Sequence, residues 1–266
     1  MKVRVPESVR GLLEQIGHLA EAQKVQAYAE GGCVRDWLLG LSETVDVDIA
    51  VEGDGVAFAQ RLAQAFEGSI RVHPAFGTST VMIRSDKLSL ASSERYPRRQ
   101  AQQGQARQRS SEPFRIDVAT CRRETYAKPA AYPKVAPGTL KDDLSRRDFT
   151  INAMAVALAP RDFGRLIDPF QGAKDLRQKR LRILHARSFV DDPSRILRGI
   201  RFAHRFGLRW ERKTEQAMRE ALAAGALGWL NAGRLRKERE LMAHEPRPDA
   251  CLRRLEALQQ DAETHG

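Results

Sequence analysis

Two aspartates, one residue apart in an apolar run, are the residues of this sequence best suited to bind a metal ion. In the segment TVDVDIAV, apolar residues alternate with Asp46 and Asp48. Alternation of period two predicts a β-strand with one buried face, and residues i and i+2 of a strand point to the same side. Two adjacent carboxylates repel each other unless a cation lies between them, so the pattern favours a magnesium site that binds nucleotide phosphates. The alternative is a solvated edge strand that carries two acids by chance.

A glycine pair precedes these aspartates and adds a second chemical feature. Gly31 and Gly32 follow a weak strand signal and precede a short helical pattern, with Arg35 one turn into the helix. A strand, a glycine turn and a helix start together present backbone N–H groups to a phosphate. A glycine pair alone indicates only a tight turn, but beside Arg35 and the paired acids it predicts a phosphate-binding site.

Four segments together resemble a known family: GGCVRDWLLG, DVDIAV, RRDFTINA and DDPSRILRGIR. They are similar to the motifs of class II tRNA nucleotidyltransferases and their bacterial poly(A) polymerase relatives, which belong to the DNA polymerase β-type nucleotidyltransferase superfamily. The resemblance runs from about Tyr28 to Met242. It implies a transferase that uses two Mg²⁺ ions at Asp46 and Asp48, takes ATP and/or CTP as substrates, and extends the 3′ end of tRNA. It also implies a third catalytic acid, Asp117, on a neighbouring strand; a salt bridge from Asp117 to Arg122 or Arg123 is the alternative.

The resemblance implies that the RRDFTINA segment selects ribose and contacts the triphosphate. The resemblance assigns these roles to Arg147 and Asp148, with Asn152 as support. The chemistry agrees, because a carboxylate accepts a hydrogen bond from a 2′-hydroxyl and an arginine pairs with phosphate. Read alone, two arginines and an aspartate in a basic protein indicate a surface salt-bridge cluster.

The segment SFVDDPSRILRGIRFAHRFGL resembles the family's base-selecting motif, with Asp191 in place of the usual glutamate. The positions that the family uses for nucleotide contacts are Asp192, Arg195, Arg198 and Arg201. The spacing predicts a helix that begins near Pro193, with Asp191 or Asp192 as its cap. Three arginines at intervals of three residues also occur on solvated helix faces. A later segment, NAGRLRKERELM, resembles the helix that supports the nucleotide pocket, although a plain charged helix explains it nearly as well.

Two departures from the family concern the reaction product and the grip on tRNA. The segment from Arg122 to Leu140 is rich in proline, which predicts a loop. It resembles the shorter loops of enzymes that add only CC or only A, so we expect partial CCA-end synthesis. Most relatives continue into helical body and tail domains, and we expect these to be absent or much reduced here.

Composition restricts the possible partners and the compartment. The 266 residues carry a formal net charge of +11, which favours a polyanionic partner such as RNA. No apolar run is long enough for a membrane span, and we expect no membrane partner. Three scattered cysteines form neither a disulfide framework nor a zinc pattern, so we expect no disulfide-linked partner and a reducing cytoplasm.

The order of the patterns predicts an α+β fold. We expect a nucleotidyltransferase head over residues 1–160, with a mixed, largely antiparallel sheet flanked by helices, and a helical neck over residues 161–266. The Arg-, Gln- and Ser-rich stretch at about 85–113 predicts a mobile basic insertion that either contacts RNA or is a solvated loop. Three functions compete: a CC- or A-adding tRNA nucleotidyltransferase, a poly(A) polymerase, and a non-catalytic RNA-binding relative.

Overall fold

The computed structural model describes residues 1–41, 46–74, 77–84, 113–131 and 133–264, and the chain forms two compact units. The first unit comprises Met1–Arg123, Pro137–Leu144 and Met154–Asp168. The second comprises Glu124–Ala136, Ser145–Ala153 and Pro169–Gly266. The units interleave along the chain, and the functional boundary at residue 160 stays a prediction. The basic insertion expected at 85–113 lies outside the described residues, apart from Pro113.

A seven-stranded sheet forms the centre of the first unit. Its strands are β1 (Gln26–Glu30), β2 (Asp46–Glu52), β3 (Ser69–His73), β4 (Thr78–Ile83), β5 (Phe114–Thr120), β8 (Ala155–Ala157) and β9 (Leu166–Ile167). Their order across the sheet is β3-β4-β5-β2-β1-β8-β9. Neighbouring strands are antiparallel except for β2 and β5, which are parallel. The predicted α+β class with a mixed, largely antiparallel sheet is therefore confirmed.

Strand β2 has the one buried face that its alternation predicted. Val47, Ile49 and Val51 are fully buried, whereas Asp46 and Asp48 are exposed. Helix α3 (Gly55–Ala65) packs on the sheet and buries Phe58 and Leu62. The helix begins where the Asp54 carboxylate accepts a hydrogen bond from the backbone N–H of Ala57. Burial of one face thus fixes both acids on the other.

The first unit also contains the described α-helices α1 (Glu7–Ala22), α2 (Gly32–Leu38) and α4 (Leu140–Ser145), the last residue of which belongs to the second unit. The segment from Arg122 to Leu140, predicted as a loop, instead contains two short paired strands, β6 (Arg122–Thr125) and β7 (Lys134–Pro137). The prolines did not prevent pairing because Pro129 and Pro133 lie between the strands and Pro137 ends the second one, where no ladder hydrogen bond is lost.

The second unit is mainly helical. Its helices are α5 (Gly172–Arg177), α6 (Ser188–Asp191), α7 (Ser194–Phe206), α8 (Arg212–Ala223), α9 (Ala232–Ala243) and α10 (Pro248–Thr264). Two short strands, β10 (Arg180–Leu181) and β11 (Arg209–Trp210), pair in parallel. On the final helix, Cys251, Leu255 and Leu258 form a buried stripe at helical spacing. No described helix is long and apolar enough to cross a membrane.

An aromatic cluster fills the core of the second unit. The ring centroid of Phe149 lies 6.4 Å from that of Phe189, 6.0 Å from that of Phe202 and 6.2 Å from that of Trp210. Gly199 on α7 faces this cluster, and a Cβ atom there would overlap Trp210 and lie 2.8 Å from Phe149 Cζ. The glycine therefore sets how closely the helix approaches the rings.

We expect Gly199→Ala to destabilise the protein by about 1–3 kcal/mol, because an added methyl group overpacks a filled core. The measurement is the midpoint of urea or thermal unfolding. Gly228→Ala is the matched control in the same unit, since nothing lies within 4 Å of a Cβ built there. Equal midpoints for the two variants would contradict the tight packing at Gly199.

Candidate active site

The glycine turn before α2 has the conformation that only glycine adopts readily. Gly31 has φ 77° and ψ −129° at the N-terminus of the helix, and its N–H donates to Met154 O at 3.0 Å. Arg35 is buried and forms an ion pair with Asp36 at 2.8 Å. The Arg35 guanidinium lies next to Gly32, since a Cβ built there would be 3.6 Å from one of its nitrogens, an ordinary van der Waals contact. The predicted strand, turn and helix are thus present, and phosphate binding by them stays a prediction.

The three predicted catalytic acids lie on one face of two adjacent strands. Asp46 and Asp48 are two residues apart on β2 and point to the same side of the strand. Asp48 is in register with Asp117 on the parallel strand β5. In-register residues of paired strands project from the same face of a sheet. Asp117 accepts a hydrogen bond from Thr80 Oγ1 at 2.6 Å and forms an ion pair with Arg115 at 2.8 Å. This ion pair differs from the alternative expected with Arg122 or Arg123.

Sequence reasoning missed a fourth acid in this row. Glu30 on β1 is in register with Asp48 and is 2% exposed. The row Glu30–Asp48–Asp117 therefore crosses three neighbouring strands. Only the pairing register places Glu30 there, and nothing in its local sequence indicates the register.

The donor set of this face suits a hard divalent cation. Asp46 and Asp48 are exposed carboxylates side by side, and Mg²⁺ binds through one or two carboxylates, with water and phosphate oxygens as its other ligands. Across the described ranges, no three His, Cys, Asp or Glu side chains are grouped closely enough to hold a metal ion by themselves. The acids therefore fit a site that the nucleotide phosphates complete.

In the second unit, Asp148 is a buried carboxylate whose acceptor positions are all in use. Its Oδ1 accepts from the backbone N–H of Phe149 at 2.7 Å and from Asn152 Nδ2 at 3.0 Å. Its Oδ2 accepts from Arg198 Nε at 2.8 Å and pairs with Arg198 Nη2 at 2.6 Å. A carboxylate offers about four lone-pair sites. A ribose hydroxyl can therefore bind Asp148 only by replacing one of these donors.

Burial raises the pKa of Asp148, but the Arg198 charge and the hydrogen bonds from Asn152, Arg198 and Phe149 outweigh it and hold the pKa below its usual range. A depressed folded-state pKa stabilises the protein above the unfolded-state value of about 3.9, and this stabilisation is lost as the pH falls towards the folded-state value. We expect the difference in urea midpoint between wild type and Asp148→Asn to be constant above about pH 5 and to shrink below about pH 4. Unfolding curves from pH 3 to 7 measure it, and a difference that grows on acidification would contradict the assignment.

The predicted base-selecting pair is held in place by neighbouring groups. Asp192 Oδ1 accepts from Ser194 N at 3.0 Å, from Ser194 Oγ at 2.6 Å and from Arg234 Nη2 at 2.5 Å. Asp192 thus accepts from the first backbone N–H of α7, and Pro193 is the residue at the helix cap. Arg195 is 5% exposed and donates to Ser188 Oγ at 2.8 Å and to Arg146 O at 2.6 Å. The solvated-face explanation for these arginines does not hold at Arg195.

Arg201 is engaged differently from Arg195 and Arg198, which precede it on α7. It is buried and donates to Glu238 Oε2 at 3.0 Å and to Glu245 Oε1 at 2.9 Å, while Arg205 pairs with Glu245 at 2.7 Å. These ion pairs bind α7 to α9 and to the turn that follows it. A nucleotide contact by Arg201 stays a prediction, and it requires the exchange of one of these carboxylates.

Arg147 donates to Asn152 O at 3.4 Å.

Sequence reasoning did not single out Arg234, Glu238 or Glu245, although the first two lie in the NAGRLRKERELM segment that was expected to support the pocket. Each of the three contacts Asp192 or Arg201 from a distant part of the chain. Their charge was the only feature of the sequence that could have indicated these contacts.

Comparison with known proteins identifies the family of this fold. Residues 27–182 match the model of the poly(A) polymerase head domain. The chain belongs to this family. The segment matched contains both the paired aspartates and the RRDFTINA motif, and the resemblance to class II tRNA nucleotidyltransferases is confirmed.

Curated relatives extend the similarity beyond the head domain. The chain is 37% identical over 250 residues to the A-adding tRNA nucleotidyltransferase of Halalkalibacterium halodurans, covering 93% of this chain and 52% of that protein. It is 42% identical over 223 residues to the A-adding tRNA nucleotidyltransferase of Aquifex aeolicus, covering 84% of this chain and 24% of that protein. The chain thus spans about half, or less, of the length of these relatives.

A solved structure of a related protein shares the fold of this chain. A tRNA nucleotidyltransferase complexed with a primer tRNA and an incoming ATP analog superposes with a TM-score of 0.74 at 36% identity. The match covers 92% of this chain and 60% of that protein.

Proposed function

We propose that the protein adds adenosine to the 3′ end of tRNA without a nucleic-acid template. The observation that carries the proposal is the face shared by Asp46, Asp48 and Asp117, in a chain whose similar relatives include two A-adding enzymes. The substrates are ATP and a tRNA that ends in CC. The complex of a related protein with primer tRNA and an ATP analog supports both substrates.

The reaction forms a bond between the terminal 3′-oxygen of the RNA and the α-phosphorus of ATP, and it breaks the bond from that phosphorus to the pyrophosphate oxygen. Mg²⁺ bound at Asp46 and Asp48 would polarise the hydroxyl and neutralise charge on the leaving pyrophosphate. Asp117 lies beside Asp48 and serves to accept the hydroxyl proton. The Thr80 hydrogen bond holds that carboxylate in position.

The second unit supplies recognition of the nucleotide. Arg147 contacts phosphate, Asp148 and Asn152 test the ribose, and Asp192 with Arg195 reads the base edge. The hydrogen bonds of Ser194 and Arg234 to Asp192 hold one carboxylate oxygen, and no described residue donates to the other, Oδ2. That oxygen is available to the amino group of adenine.

An incorporation assay on three RNAs tests the proposal. With ATP, a tRNA ending in CC should gain one adenosine, whereas a tRNA ending at the discriminator base should gain no CC from CTP. A long tail on an unrelated oligonucleotide would identify a poly(A) polymerase instead. No incorporation on any RNA with Mg²⁺ present would favour a non-catalytic RNA-binding role. The three buried thiols, none of which forms a disulfide, support a cytoplasmic location as part of the proposal.

A further inference from the structure

A cavity of about 330 Å³ in the second unit is lined by three cations and one carboxylate. The cations are Lys174, Arg180 and Arg182, and the carboxylate is Asp175; we call this site the basic cavity. Its residues come from α5, from β10 and from the segment around them, and none of them takes part in the nucleotide recognition proposed for Asp148, Asp192 and Arg195.

The single carboxylate is already neutralised. Asp175 is 2% exposed, and its Oδ2 accepts from Arg182 Nε at 2.7 Å and from Thr150 Oγ1 at 2.8 Å. Arg182 also donates to Phe170 O at 2.7 Å, which fixes its guanidinium. Asp175 and Arg182 thus balance each other, and the charges of Lys174 and Arg180 remain.

In the described part of the chain, neither remaining cation has a carboxylate of its own, because Arg180 pairs only with Asp175, which Arg182 also uses. Arg180 Nε lies 3.6 Å from Asp175 Oδ1, beyond hydrogen-bond distance, and the guanidinium donates to Gln178 Oε1 at 3.2 Å. Glu211 also interacts electrostatically with Arg180, but its Oε2 accepts from Thr214 N and Thr214 Oγ1. Lys174 is exposed and forms no ion pair with any residue that the structure describes.

Strand pairing places another cation beside this site. Arg180 on β10 is the in-register partner of Arg209 on the parallel strand β11, and Arg209 is exposed. Like charges directly opposite each other destabilise a strand pair. An anion bound between the two side chains would reduce this repulsion.

We propose that the basic cavity binds the phosphate backbone of the RNA substrate. The guanidinium of Arg180 keeps N–H donors for phosphate oxygens, and Lys174 adds a mobile point charge. Lys174, Arg180 and Arg209 together present more cations than one phosphate group needs, which favours a ligand with several phosphate groups. The inference rests on the proposed function, since it requires an RNA substrate.

Binding of tRNA as a function of salt tests the proposal. Lys174→Ala and Arg180→Ala should each weaken tRNA binding at least threefold at low salt, and should make the slope of log K against log salt shallower by about one. Arg177→Ala is the matched control, because Arg177 is an exposed cation on the same helix that does not line the cavity. Lys174→Glu should weaken binding further than Lys174→Ala, and thermal midpoints should show that every variant is folded.

Steady-state kinetics and pyrophosphate titration separate the two sources of phosphate. Binding of the RNA backbone predicts a raised KM for tRNA with an unchanged KM for ATP. A loss of inorganic pyrophosphate affinity without a loss of tRNA affinity would overturn the proposal. If the Lys174 and Arg180 variants bind tRNA as tightly as wild type does, this inference alone is contradicted. If wild type binds no tRNA, the proposed function and this inference are contradicted together.

Discussion

Asp48→Asn is expected to reduce nucleotide addition by at least about 100-fold, because a bound metal supplies several kcal/mol of transition-state stabilisation and each 1.36 kcal/mol is a factor of ten in rate. The neutral amide keeps the size of the side chain but loses the charge that holds Mg²⁺. Asp48 is exposed, so the free energy of unfolding should stay within about 0.5 kcal/mol of the wild-type value. Asp46→Asn should behave in the same way.

The measurement combines single-nucleotide incorporation with binding of Mn²⁺ as a spectroscopic probe for the metal site. The variant should bind Mn²⁺ more weakly in the presence of nucleotide. Asp54→Asn is the matched control, since Asp54 is an exposed acid soon after the same strand and asparagine also caps a helix well. A turnover near that of wild type for either strand variant would refute the metal site at these two acids.

The second large effect concerns the choice of base. Ionised Asp192 offers only acceptors and Arg195 only donors, whereas adenine and cytosine both present an amino group next to a ring acceptor. Uracil and guanine carry a carbonyl at that place and would face Asp192 acceptor to acceptor. An unsatisfied polar pair costs about 1–3 kcal/mol, so wild type should prefer ATP to GTP or UTP by roughly 5- to 150-fold or more.

Asp192→Asn gives the sharper test of this assignment. The amide oxygen can still accept from Ser194 and Arg234, so the amide nitrogen would replace Oδ2, to which no described residue donates. A donor there matches the carbonyl of guanine or uracil, and we expect the preference to move towards GTP and UTP. Asp192→Ala should lose discrimination together with much of the rate.

Relative kcat/KM for all four nucleotides decides the matter. Asp191→Asn is the control on the neighbouring residue, whose carboxylate lies 3.5 Å from Arg187 Nε, and its preference should equal that of wild type. If Asp192→Asn and Asp191→Asn show the same nucleotide preference, the base is read by other residues.

The sequence predicted those parts of the site whose signals lie within a few neighbouring residues. Asp46 and Asp48 were predicted together because strand periodicity acts over two residues, and the structure places them as expected. The start of α7 near Pro193 was likewise visible, because a helix start depends on neighbouring residues. Long, strongly periodic elements such as α7 were predicted well for the same reason.

Features that depend on tertiary pairing were not predictable in this way. Glu30 joins the acidic row only through the register of β1 with β2. Arg201 carries the same charge pattern as Arg198, yet one pairs with Glu238 and Glu245 and the other with Asp148. Propensity could not distinguish them, because their partners lie between 37 and 50 residues away along the chain.

The interleaving of the two units has a consequence for dissecting the protein into fragments. The chain passes between the units five times, so no single cut separates them. A fragment that ends after Asp168 would contain every residue of the first unit, but it would also carry Phe149 without Phe189, Phe202 and Trp210. Such a fragment would expose an aromatic side chain that is fully buried in the whole chain, and exposed apolar surface of this kind promotes aggregation. The proposed catalytic acids and the proposed recognition residues therefore cannot be divided between two fragments by a single cut without breaking up the second unit.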